Sequence, residues 1–359
     1  MFSSLGESMF IMPICYHPTT VLSVDDDEAF SQMLAIHVEK QLSLLCFSNP
    51  EEAIEYTKNK HHYLPFTARC LTDEDDGVKF NFLSIRNEIY NPDRFKEIVI
   101  TVTDYDMPHT SGVELIKTMQ FAPEISKYSH IILTGKISDE FKEKVEKLHM
   151  QDGYISKDDP NYILKLLDMV ENLSEKIFQW NSYIPARILS RNIKERTAFL
   201  FDGNFSQNFN MHIQENNICE FYLFDKQGSY IFLDPDANLS WLFVRNECGI
   251  ENSIDLATKY GAPQRIIDSL KSKKVILSLY EKEDFDQRKI IDWDQYLLPA
   301  TIFETNENYL GFFSNLMPQS SNEETSKPKY YYAFSKQFPE HGIETNKIVS
   351  YRTFLREQD

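Results

Sequence analysis

Four apolar runs in this chain each stop at a residue with a chemically useful end group. Ile98-Val99-Ile100-Thr101-Val102-Thr103 stops at Asp104, followed by Tyr105-Asp106-Met107-Pro108. Val21-Leu22-Ser23-Val24 stops at Asp25-Asp26-Asp27, Ile131-Ile132-Leu133 at Thr134, and Tyr154-Ile155-Ser156 at Lys157. Carboxylates crowded together repel one another, so a divalent cation is needed to hold them. Oxygen donors without His or Cys suit a hard ion, most simply Mg²⁺. The same set suits phosphoryl transfer to a carboxylate. Asp104 would be the acceptor nucleophile, Asp25 and Asp26 metal binders, Lys157 a counter-charge and Thr134 a hydroxyl donor to the phosphoryl oxygens. Gly135, directly after Thr134, leaves the approach open and frees a backbone N–H.

The elements that must bring these groups together follow from the pattern between them. Strands of an open α/β sheet present their last residues at one edge, where such folds place their chemistry. Phe30, Met33, Leu34 and Val38 recur at helical spacing after the first run, and Leu42–Phe47 is a second strand. A helix opens at Asn49-Pro50-Glu51-Glu52, with proline in its first turn. Val113-Glu114-Leu115-Ile116 opens a third helix, and a further one is expected over 139–148. The last helix keeps its spacing from Tyr162 to Phe178. Each feature also has a structural reading when taken alone. The aspartate run before Glu28 reads as a helix cap, Asp-x-Asp-Met-Pro as a turn, and a strand-terminal Thr or Lys as ordinary packing. Their joint order selects the site.

From about Thr20 to Leu173 the chain resembles the receiver domain of two-component response regulators. The resemblance implies a flavodoxin-like, doubly wound, parallel five-stranded sheet. It also implies that Asp104 accepts phosphate from a sensor histidine kinase or phosphotransfer protein. Asp25, Asp26 and Asp104 would hold Mg²⁺ together with the backbone carbonyl of Asp106, and Thr134 and Tyr154 would form the switch. One departure from the family pattern is that Asp158-Asp159-Pro160 follows Lys157, where proline usually comes directly after the lysine. The usual cis peptide is therefore not expected.

Between the second helix and the Ile98 strand lies an insertion, residues 60–96, far longer than an ordinary αβ connection of about two to six residues. Phe80, Phe82, Leu83, Ile85, Ile89 and Tyr90 supply a short helix. Asp73-Glu74-Asp75-Asp76-Gly77 reads as a solvated loop, because it lacks the spacing and closing glutamate of a calcium loop.

At 359 residues, 42% hydrophobic and 13% aromatic, the chain is long and apolar enough for two domains. Its net charge of −18 argues against a broad nucleic-acid footprint. Residues 1–214 carry 21 Lys+Arg against 32 Asp+Glu and residues 215–359 carry 16 against 23, so neither part is basic. The five cysteines are scattered, odd in number and never spaced C-x-x-C, which fits a reducing cytoplasm. No basic leader and no apolar run of membrane length is found, so no membrane contact is expected.

The second half reads as a small α+β domain on an antiparallel sheet. Ile218–Phe224 and Ser229–Leu233 flank the turn Asp225-Lys226-Gln227-Gly228 as a hairpin. Trp241–Val244, Val275–Tyr280 and Tyr330–Phe334 are further strands, and Ser253–Tyr260 and Pro263–Lys271 are helices; 318–328 is polar. Phe221, Tyr222, Tyr230, Phe232 and Tyr330–Tyr332 fit an alternating sheet core better than a base-stacking platform. Lys271, Lys273 and Lys274 form the only basic cluster, at a helix end, where they complement the dipole. No convergent catalytic set appears, so an enzyme output is the least favoured reading. The boundaries expected are an N-terminal extension at 1–18, the receiver at 19–178, a linker helix at 179–194, the output domain at 195–338 and a tail at 339–359. The strings Glu88-Ile89-Tyr90-Asn91-Pro92-Asp93-Arg94-Phe95 and Glu220-Phe221-Tyr222-Leu223-Phe224-Asp225 make the whole resemble quorum-sensing response regulators of the Legionella type. That implies a phosphorylation-switched regulator acting through dimerisation or output-domain contacts, with direct nucleic-acid or nucleotide binding by the output domain as the alternative.

Overall fold

The computed structural model describes residues 11–38, 41–60, 70–74, 77–108, 110–121, 129–135, 137–138, 141, 143, 153–189, 198–279, 292–304, 329–336 and 343–357. Contacts divide the chain into two compact units. One comprises 17–69, 88–180 and 349–359, the other 1–16, 70–87 and 181–348.

The first unit is built on strands β1 (Thr20–Val24), β2 (Ser43–Phe47), β3 (Ile98–Asp104), β4 (Ser129–Thr134) and β5 (Tyr154–Ser156), all parallel, in the order β5-β4-β3-β1-β2. This is the doubly wound order of flavodoxin-like folds. Every residue of β1 and β3 is buried, which is why both read as unbroken apolar runs rather than alternating ones. Helices cover both faces: α1 (Glu28–Val38), α2 (Pro50–Lys60), α3 (Gly112–Phe121) and residues 162–180 of α4 (Tyr162–Leu189). Leu34 and Val38 of α1 and Leu166, Val170 and Leu173 of α4 share a core with Val21, Val102 and Ile131. Ala53 of α2 and Leu115 and Met119 of α3 pack with Leu22 and Val24. The helix expected over 139–148 lies outside the described residues except for 141 and 143.

The second unit holds a six-stranded antiparallel sheet. Its strands are Cys15–Tyr16, β6 (Glu220–Leu223), β7 (Tyr230–Leu233), β8 (Leu239–Asn246), β10 (Lys329–Ser335) and β9 (Thr301–Glu304), in that spatial order. Helix α5 (Gly203–Glu215) lays Phe205 and Phe209 against the sheet aromatics Phe221, Tyr230, Phe232, Phe303 and Tyr332. Helices α6 (Glu247–Lys259) and α7 (Gln264–Lys271) follow β8, and Ile250 of α6 packs with Phe224, Ile231, Trp241 and Phe243. Phe221, Tyr222, Tyr230, Phe232, Tyr330 and Tyr331 are buried, so they form sheet core as expected. In the β6–β7 turn, Asp225 Oδ1 accepts the backbone N–H groups of Gln227, Gly228 and Ser229, while its Oδ2 meets the buried Arg245 at 3.1 Å.

Three local expectations are corrected. The acidic run at 73–77 is not a plain loop: Leu71–Glu74 and Gly77–Phe80 pair as antiparallel strands, so backbone pairing extends to Glu74 and Gly77. Helix α6 starts at Glu247, six residues before the expected Ser253, because Asn246 Oδ1 accepts the Gly249 N–H at 2.7 Å as an N-cap. Val275–Leu277 pairs with Leu297–Pro299 in a separate two-stranded sheet. Residues 318–328 lie outside the described set.

Candidate functional site

Strand register alone brings the chemically active residues to one edge. Val24 pairs with Thr103, which sets Asp25 beside Asp104; Asp104 pairs with Leu133, one residue before Thr134; and Thr134 pairs with Ser156, one residue before Lys157. The Lys157 N–H donates to the Thr134 carbonyl at 2.8 Å, fixing the start of the loop that carries the lysine.

Lys157 is the centre of the site. Its Nζ lies 2.7 Å from Asp25 Oδ2 and 2.5 Å from Asp104 Oδ1. The Asp25 side chain is 2% exposed, that of Asp104 10% and that of Lys157 19%, so the three charges meet where water screens them little. Burial pushes the Asp25 carboxyl above its usual range, despite the hydrogen bond from Lys157 that works the other way. For Lys157 burial works against the ammonium, yet the hydrogen bonds to Asp104 and Asp25 outweigh it and the net shift is upward. Two carboxylates sharing one ammonium leave the cluster one positive charge short.

The three adjacent aspartates divide their work. Asp25 turns into the cluster, and its Oδ1 also accepts the Asp27 N–H. Asp26 is exposed. Asp27 is the helix cap, its Oδ1 accepting the N–H groups of Ala29 and Phe30 at 3.0 and 3.1 Å. The capping reading is therefore right for one aspartate of the run and not for Asp25. Asp104 Oδ2 accepts the Asp106 N–H at 2.9 Å, and Asp106 itself is exposed. Thr134 is buried at the end of β4, and a Cβ on Gly135 would meet nothing within 4 Å. Tyr154 is half-buried, edge-on to Phe141 at 5.0 Å; Phe141 is in turn edge-on to Tyr105 at 4.8 Å, next to Asp104. The expected switch aromatic thus connects to the neighbour of Asp104 through a third ring.

Four residues around the cluster are absent from the sequence reading of the site. Phe30 lies under the Lys157 ammonium, its ring centroid 4.2 Å from Nζ, and Tyr162 stacks on Phe30 at 6.1 Å. Both carried only the helical spacing of core residues. Phe141 has no motif of its own. Gly112 is required by close approach, since a Cβ there would stand 2.2 Å from the Asp104 carbonyl oxygen; a glycine between a turn and a helix was the only sequence signal.

Among the described residues no three acidic, His or Cys side chains converge as a metal site. The donor set nevertheless fits a hard cation. Asp25 and Asp104 present oxygens within reach of one shared positive group, the cluster lacks a positive charge, and Mg²⁺ binds through one or two carboxylates while keeping several waters. No helix among the described residues is long and apolar enough to cross a membrane.

A doubly wound parallel sheet with two aspartates and a lysine clustered at the carboxyl ends of its strands fits a flavodoxin-like receiver fold. Over its whole length the chain is similar to the response regulator LqsR of Legionella pneumophila, with 27% identity, a TM-score of 0.71 and 98% of each chain covered. Shorter matches include the chemotaxis protein CheY4 of Vibrio cholerae, at 16% identity and TM-score 0.31, over 44% of this chain and 98% of that one. A response regulator receiver protein from Pseudomonas putida matches at 22% and 0.30, over 43% and 97%. No family model and no curated protein matches the chain.

Proposed function

We propose that this chain is a phosphorylation-switched response regulator in which Asp104 accepts a phosphoryl group from a histidine kinase or phosphotransfer protein. The observation that carries the reading is the Lys157 ammonium spanning Asp25 and Asp104 at the strand ends. An acyl phosphate on Asp104 adds negative charge, and Lys157 is already placed to meet it. Asp25 and Asp104, with Asp26 and the Asp106 carbonyl completing the set, would hold Mg²⁺, which when bound supplies charge neutralisation at the phosphoryl oxygens. Thr134 would donate its hydroxyl to one of those oxygens. Movement of Thr134 and Tyr154 would then repack the edge-on Tyr105–Phe141–Tyr154 rings and change a face of the receiver. The only chemistry is self-catalysed phosphotransfer and hydrolysis, so the protein is a signalling protein rather than an enzyme with its own substrate.

The division of labour we propose is a receiver over 19–178 with its 60–96 insertion, a linker helix, and an output domain over 195–338. The likeness to a Legionella response regulator supports a bacterial signalling role, and we extend the reading to a cytoplasmic, quorum-sensing one on the resemblance of the sequence. For the output we favour phosphorylation-dependent self-association over nucleic-acid contact. Lys273, central to the basic cluster at 271–274, is hydrogen-bonded to Glu247, which leaves Lys271 and Lys274 as a thin cationic patch.

The test is incubation of the full chain with acetyl phosphate and Mg²⁺, read by intact-protein mass. A gain of one phosphate that is alkali-labile and absent in Asp104→Asn is expected. A gain that survives in Asp104→Asn removes Asp104 as the acceptor.

A further inference from the structure

The Lys157 side chain is held by more than its two carboxylates. Its ammonium sits 4.2 Å from the centroid of the Phe30 ring, at cation–π distance. The ring is itself fixed. Phe30 lies in the first turn of α1, three residues after the Asp27 cap that accepts its N–H. The Tyr162 ring stacks on it at an interplanar angle of 29°, and the Tyr162 hydroxyl donates to Met33 Sδ, one turn along the same helix, at 3.2 Å. Phe30, Met33 and Tyr162 therefore form a braced aromatic wall beside the charged cluster.

A lysine has four rotatable side-chain bonds and a compact charge, so two acceptors do not by themselves define where its Nζ rests. A π-face adds a third contact from a different direction. With the ammonium side chain only 19% exposed, that contact acts where water competes weakly. We propose that Phe30 is a positioning residue for phosphoryl transfer: its ring face, braced by Tyr162, holds the Lys157 ammonium between Asp25 and Asp104. The inference rests on the receiver reading above and assigns a role to a residue that shows only helical core spacing in the sequence.

In the reaction with acetyl phosphate an Asp104 carboxylate oxygen forms the new bond to phosphorus. The bond from phosphorus to the acetyl oxygen breaks, and acetate leaves with the electron pair. Lys157 keeps its proton throughout and supplies only charge. A misplaced ammonium therefore slows bond formation without changing the products.

The test uses the full chain with Phe30 replaced by ring-fluorinated phenylalanines of one and three fluorines, which weaken the π-face with little change of size, and by the natural variants Phe30→Tyr and Phe30→Leu. Initial rates of phosphate gain from acetyl phosphate with Mg²⁺ are measured by intact mass, alongside melting temperatures. The rate is expected to fall with each step of fluorination, to be about threefold to tenfold lower in Phe30→Leu, and to stay near the parent rate in Phe30→Tyr. A purely structural role moves the melting temperature but does not order the rates by ring charge. Equal rates across the fluorinated series, or Phe30→Tyr as slow as Phe30→Leu, overturn the inference while leaving the receiver reading intact. No phosphate gain in the parent chain, or a full gain in Asp104→Asn, overturns both.

Discussion

At the scale of single residues, the site shows how one type of side chain takes different roles within a few positions. Asp25 and Asp27 are two residues apart, yet one is buried against an ammonium and the other caps a helix. Sequence spacing made the order of Asp25, Asp104, Thr134 and Lys157 legible because strand register fixes strand ends. The rotamers and the aromatic wall around Lys157 were not legible, since Phe30 and Tyr162 carry the same spacing as any core residue. His130 supplies a residue-scale prediction. It is buried on β4, with its Nδ1 2.6 Å from the Thr101 hydroxyl on β3, and burial lowers its pKa to about 4. The unfolded chain takes up this proton near pH 6.5 and the folded chain does not until about pH 4. Stability is therefore full above pH 6.5 and is lost as pH falls through this window, by roughly 3 kcal/mol at its lower end. Urea midpoints measured from pH 7.5 to 4.5 should show a steeper loss in the parent than in His130→Asn, and parallel curves would remove His130 as the cause.

At the scale of elements, the strands were legible wherever they were long and apolar, and the helices wherever they were long and periodic. What escaped were elements whose stability comes from tertiary packing rather than from their own pattern. Strand Cys15–Tyr16 is two residues long and exists by pairing with β6. Helix α5 is polar along most of its sequence and buries chiefly Phe205, Ser206 and Phe209. The helix Tyr351–Arg356 is shorter than an isolated helix can sustain in water, and it is held by what it covers. Tyr351 and Phe354 are buried, each 5.1 Å from the ring of Phe95 just before β3. The Tyr351 hydroxyl accepts the Ser43 N–H at the start of β2, and the buried Arg94 donates to the Val349 carbonyl at 2.8 Å. The helix therefore covers the core at the edge of the parallel sheet opposite the candidate site. Tyr351→Ala combined with Phe354→Ala should lower the stability of the parallel-sheet unit by more than the roughly 3–5 kcal/mol of a single buried aromatic truncation. Hydrogen exchange should speed up at Ser43 and along β2. Unchanged protection there would mean that the helix is an attachment rather than part of the core.

At the scale of the whole molecule, net charge separates the two readings of the output. The chain carries −18, so two copies bringing like-charged surfaces together repel, and added salt screens that repulsion over a Debye length of about 10 Å at 0.1 M. Nucleic-acid binding has the opposite dependence, because phosphate contacts release counterions and weaken as salt rises. If Asp104 is the acceptor as proposed, beryllofluoride with Mg²⁺ would mimic its phosphoryl group and allow both dependences to be read on one sample. Light scattering should give twice the monomer mass in its presence and not in its absence, with the concentration needed for association falling as salt is raised from about 50 to 300 mM. Duplex or single-stranded nucleic acid added to the same samples should not shift the mass at the upper salt concentration. The charge argument allows a gain of bound nucleic acid that depends on the mimic and collapses with salt only through a local patch. Among the described residues the candidate patch is Lys271 and Lys274, because the Lys273 ammonium is taken up by Glu247, whose other carboxylate oxygen accepts the Tyr331 hydroxyl. Lys271→Glu with Lys274→Glu would then abolish nucleic-acid binding and leave the mass doubling untouched. Loss of both signals together would tie that patch to self-association instead.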